Sequence, residues 1–117
     1  MKKLLGMGLL LTLITSGAFA NCRSHLYGKW VLTDTSRALD SSLEAAEAPM
    51  AWTFTESGRA TIDMPPFLHS TNDFECNGNE IVIKKTVPAK LDIVRLINDK
   101  LVWKEVGGSK YFYFSKR

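Results

Sequence analysis

The sequence predicts an all-β fold: a small up-and-down antiparallel barrel, or a strongly curled sheet, of about eight short strands with one short helix in the first long connection. Three observations predict it. Short apolar runs recur from Leu26 to Ser115, several alternating with period two. Turn signals separate them at Glu56-Ser57-Gly58, Asn77-Gly78, Asn98-Asp99 and Gly107-Gly108-Ser109, spaced for hairpins between neighbours. Residues 78–85 also echo residues 98–105, each a turn followed by three apolar residues and then charges, as if one strand type were used twice. Sequential hairpins pair neighbours, and closure removes the exposed edges, so a barrel or curled sheet is favoured over a sandwich.

Residues 1–20 read as a leader. Lys2 and Lys3 precede a mostly apolar run from Leu4 to Ile14, and Ala18-Phe19-Ala20 is an A-x-A cleavage site. The mature chain is expected to begin at Asn21 and to fold as one domain over 21–117. The leader run is too short to span a bilayer and no later stretch is long enough, so no stable membrane anchor is expected. The compartment implied is a bacterial periplasm, with the external medium second.

The first strand is expected from Tyr27 to Thr33. Gly28 and Trp30 are two apart and share a face, where glycine leaves room beside a large indole. In the connection that follows, Leu39, Leu43 and Ala46 recur at helical spacing, Ser41 and Glu44 form a capping-box pattern, and Pro49 ends the helix. Met50 to Thr55 and Arg59 to Met64 form a hairpin in which Trp52 and Phe54 share one face. Pro65-Pro66 stops pairing, and Phe67 to Asn72 reads as a surface loop. Phe74 to Cys76 and Glu80 to Lys85 flank Asn77-Gly78; Val87-Pro88-Ala89 is a break; Leu91 to Ile97 and Lys100 to Val106 form the next hairpin; Lys110 to Ser115 ends the series.

Gly28-Lys29-Trp30 resembles the Gly-x-Trp that opens the first strand of lipocalin-like barrels. The resemblance implies that Trp30 plugs the closed end and that a basic residue closing the last strand lies across it. Lys116 and Arg117 both stand there, and Arg117 is assigned to the plug with Gly28 and Trp30. It further implies that the long connection over 35–49 folds across the open end.

Composition narrows the partners. Without Lys2 and Lys3, 13 Lys and Arg face 12 Asp and Glu, a net charge of +1 that does not call for nucleic acid. Cys22 and Cys76 are the only cysteines, and in an oxidising compartment one disulfide is expected. His25 and His69 are far apart; His69 with Asp73 or Glu75 is the nearest approach to an acid–base or metal pair, and solvated loop residues account for it better. No Gly-x-Ser-x-Gly elbow or phosphate loop is present. An enzyme is not expected, nor a metal or cofactor.

Two functions remain. In one, a small apolar ligand sits beneath a lid carrying Leu39 and Leu43, against Trp52, Phe54 and Trp103; the competing reading is that the aromatics simply fill the barrel. In the other, the protein is a periplasmic inhibitor or immunity protein that binds an envelope-targeting toxin or enzyme through Tyr111, Tyr113 and Phe67.

Overall fold

β-Strands make up most of residues 22–117, the span described by the computed structural model; the expected leader and cleavage site lie outside these residues. A short helix α1 (Cys22–Leu26) is followed by β1 (Gly28–Ser36), β2 (Glu44–Ala45), β3 (Ala51–Phe54), β4 (Arg59–Met64), β5 (Leu68–Asn77), β6 (Glu80–Lys84), β7 (Ala89–Ile97), β8 (Lys100–Glu105) and β9 (Tyr111–Lys116). Each long strand is antiparallel to its neighbour in sequence, and β1 pairs with β9, which closes an eight-stranded barrel of β1 and β3–β9. The two-residue β2 adds to the upper part of β1. The all-β expectation of about eight strands holds.

The hairpins set the two ends. α1 and the turns after β3, β5 and β7 lie at the closed end; the first connection and the turns after β4, β6 and β8 lie at the open one. Alternation then sorts side chains. Trp30, Phe54, Ala60, Phe74, Ile81, Ile83, Leu91, Ile93, Leu101, Trp103 and Phe114 form the buried core, with Trp52 and Phe112 packed on it. Edge and stacking contacts link Phe74 to Phe54 (5.0 Å), Phe54 to Trp52 (5.9 Å), Trp52 to Trp103 (5.6 Å) and Trp103 to Phe114 (4.6 Å). Such pairs add to the area they bury.

The helix is not where the periodicity put it. Residues 37–43 contain no helix, and Asp40 and Ser42 take positive φ values of 57° and 53°, which no α-helix admits. The capping box at Ser41 loses to tertiary bonds. Asp40 donates its N–H to the Tyr113 hydroxyl (2.7 Å), and its carboxylate accepts from the Arg95 guanidinium (3.0 and 2.5 Å). Tyr113 in turn donates to Ser36 Oγ (2.9 Å), whose own hydroxyl donates to Ala38 O (2.7 Å). The segment therefore folds down the outside of the barrel. Register shifts at Leu32/Asp34 and Ile93/Arg95 turn Asp34, Ser36 and Arg95 outward beside Tyr113, and Val102 between Tyr113 and Arg95 is buried beneath.

A second difference lies after Pro65-Pro66. Leu68 to Asn72, expected as a loop, is the upper half of β5 and pairs with β4 from Met64↔Leu68 to Arg59↔Asp73. The prolines occupy only the tight turn, so pairing resumes at once.

Candidate functional site

The closed end is sealed from three directions. Trp30 is fully buried and donates its indole N–H to Leu26 O of α1 at 2.8 Å. The Cys22–Cys76 disulfide, with Cα atoms 6.1 Å apart, fastens α1 to the lower part of β5. Lys116 lies across the indole, its Nζ 5.5 Å from the ring centroid. Gly28 makes this possible: at φ 117° it needs no side chain, and a Cβ there would come within 2.8 Å of Lys116 Cε. The basic residue over the ring is thus Lys116, which pairs directly with Trp30; Arg117, one residue on, instead gives its backbone N–H to Lys29 O (2.8 Å).

Above the aromatic filling the barrel is hollow. A cup of ≈ 220 Å³ opens at the other end, lined by Trp52, Ala60, Ile62, Leu68, Ser70, Asn72, Ile83 and Leu91, with Lys85, Ala89 and Glu105 at its lip. Of the residues expected against a ligand, only Trp52 lines this cup. Phe54 and Trp103 belong to the filled core below it. Leu39 and Leu43 do not line it either, because the segment carrying them lies on the outer wall, and both are exposed. The strap that borders the mouth is 44–48, over a hollow of ≈ 210 Å³ against Leu32, Met50, Met64 and Phe112. Ser70 and Asn72, which give the cup its polar side, went unsuspected because their segment reads as a loop; the period-two run Leu68, Ser70, Asn72, Phe74 was the available signal.

The expected contact surface divides in the same way. Tyr113 alternates outward as its spacing requires, but the 37–43 segment covers it, so it is not available to a partner. Tyr111 is half-buried. Phe67 is 91% exposed at the tip of the β4–β5 turn. Of the large exposed apolar side chains among the described residues, Phe67, Leu68, Val87, Val106, Leu39 and Leu43 belong to open-end segments, and only Ile97 belongs to the other end. The turns at the closed end carry Glu56, Asn77, Asn98 and Asp99 instead.

No acid–base pair forms at His69 with Asp73. His69 Nδ1 contacts Asp63 across the β4–β5 ladder on the exposed wall, Asp73 pairs with Arg59 (3.3 Å), and Glu75 pairs with Lys84 (2.8 Å). Among the described residues, no cluster of His, Cys, Asp or Glu has the makings of a metal site. Nor is any helix among them long and apolar enough to cross a membrane. The disulfide is compatible with an oxidising extracellular compartment. No family model, curated protein or solved structure matches the chain.

Proposed function

We propose that this chain is an exported, non-enzymatic, lipocalin-like binding protein that works at its open end and holds a small apolar ligand in the cup. One observation carries the reading. The barrel is packed solid around Trp30, Phe54 and Trp103 but left hollow above Trp52, in a pocket whose walls are apolar except at Ser70 and Asn72 and whose lip carries Lys85 and Glu105. A ligand site is a mostly apolar hollow with a few polar groups for orientation, which this matches in kind. In size it falls below the roughly 300–1,000 Å³ of pockets for drug-sized molecules. At roughly 30 Å³ per water-sized unit it takes about seven non-hydrogen atoms, so the ligand is small or inserts only one end.

The test uses the oxidised protein purified without denaturation. Native mass spectrometry is expected to find a retained small mass, and toluene or hexanoate is expected to shift tryptophan emission saturably, with the response lost in Trp52→Phe and in the cup-filling Ile62→Phe. No retained mass together with no saturable response would sink the ligand reading.

The periplasmic inhibitor or immunity protein is the second reading. The gathering of Phe67, Leu68, Val87 and Val106 around the mouth favours it, because exposed apolar groups collected at one end of a molecule mark interaction surfaces.

A further inference from the structure

The rim of the barrel has two steps. At the first, β1 continues for five residues, 32–36, past its last pair with β3 at Val31↔Ala51. That edge is covered from within: β2 pairs with Asp34 and Thr35, and Ala46 N–H bonds to Thr33 O (3.0 Å). At the second step β5 continues for five residues, Leu68 to Asn72, beyond its last pair with β6 at Asp73↔Lys84. Here nothing corresponds to β2. These residues pair with β4 on one side, and among the described residues no strand or backbone hydrogen bond meets their other side.

The backbone groups on that edge can be identified. Asn77 and Glu80 bracket a two-residue turn and so exchange both backbone bonds, and alternation gives the same role to Glu75 and Asp73. Phe74 has the opposite sense and donates to Gly58 O on the β4 side (2.9 Å). Continued upward, this alternation turns the N–H and C=O of His69 and Thr71 to the uncovered side. Between them the side chains of Leu68, Ser70 and Asn72 point into the cup, faced across the gap by Lys85 and Ala89. The uncovered edge is therefore also a side wall of the cup. Phe67 (91% exposed) and Val87 (74%) stand at its head.

We propose that this slot takes an extended peptide segment of a partner protein, added as a strand along Leu68–Asn72 in line with β6, with one apolar side chain in the cup. Free backbone donors and acceptors call for another backbone, and strand addition supplies it, while the hollow beneath provides the side-chain pocket. A second copy of the chain fits less well. The Lys85–Ala89 turn walls the far side of the slot, and the edge of another barrel would bring its own neighbouring strand into that wall. The inference rests on the open end being the working end, not on a small molecule being held there.

The test is selection of a phage-displayed library of random linear peptides on the oxidised protein. Selected sequences are expected to alternate apolar and polar residues. The tightest, made synthetically, is expected to slow amide exchange at His69 and Thr71 by about tenfold or more. Thr71→Pro should weaken that peptide by about tenfold or more, the equivalent of one lost hydrogen bond. Its N–H points away from β4, so proline is tolerated there at the loss of the exposed Thr61–Thr71 hydroxyl bond (2.8 Å), and a melting temperature lowered by no more than Thr71→Val lowers it checks this. Ile62→Phe separates the two readings: it abolishes the small-molecule response but spares a peptide carrying glycine at the inward position. The inference is overturned by no selected binder, by binding that Thr71→Pro leaves unchanged, or by His69 and Thr71 amides already protected in the free protein. Self-association that Thr71→Pro dissolves would also overturn it, by assigning the edge to a second copy.

Discussion

Trp30 and Lys116 are 86 positions apart and meet over one ring. The indole fills the closed end, its N–H is satisfied by Leu26 O, and the lysine stem crosses the space that Gly28 leaves. Replacing Trp30 by alanine removes the ring and opens a cavity, and is expected to cost about 3–5 kcal/mol in denaturant unfolding. Lys116→Met keeps most of the stem, so it should lose only the cation–π part, about 0.5–1 kcal/mol at an exposed site. A Trp30→Ala loss below about 1 kcal/mol would mean that this ring does not hold the closed end.

At the scale of elements, the 37–43 segment is held to the outer wall by polar bonds rather than by an apolar stripe. The Arg95 guanidinium, through its hydrogen bonds and then its charge, holds the Asp40 carboxyl below its ordinary value of 3.8. Lys84 does the same to Glu75 on the lower wall. A carboxylate lowered in the folded state contributes stability above its unfolded value and loses it as pH falls through the folded one. Asp40→Asn is therefore expected to be less stable than the wild type at neutral pH, with the difference starting to shrink near pH 4 and vanishing only below the lowered folded value. Equal melting temperatures of the two proteins at pH 7 would show that the pair does not hold the segment. The other fastening, Asp40 N–H to Tyr113, survives this change, so the segment should loosen rather than unfold the barrel.

For the whole molecule, the disulfide ties the N-terminal helix to the barrel wall. α1 has only five residues, too few to be helical alone, and is held by Leu26, by the Trp30 hydrogen bond and by Cys22–Cys76. Cross-linking positions 54 apart in sequence stabilises by about 4 kcal/mol in the chain-entropy model. Reduction is expected to lower the melting temperature by about 15 °C or more, since each kcal/mol is worth about 4–8 °C in a domain this size. A fall of only a few degrees, or labelling of thiols in the unreduced protein, would contradict it. Strands also run past their neighbours at the closed end, β5 beyond Arg59↔Asp73 and β7 beyond Glu80↔Asp92, but of the two steps at the open rim one carries its own covering strand and one does not.

The meander was legible because its signals are local. Asn77-Gly78 and Asn98-Asp99 dictate tight turns, and residues two apart share a face, so the inward set of Trp30, Trp52, Phe54, Trp103, Phe112 and Phe114 follows from spacing alone. Three things depended on contacts between distant segments. Asp40 is drawn to Arg95 and Tyr113, which outweighs a weak capping box and turns an expected lid into an outer strap. Register places Lys116, not Arg117, opposite Trp30. The unequal lengths of β5 and β6 leave Leu68–Asn72 paired on one side, above a hollow that no pattern of residues announces. Periodicity reports which face a side chain takes, because that is fixed by its neighbours in the chain; whether the face is filled, covered or left open depends on what the fold brings against it.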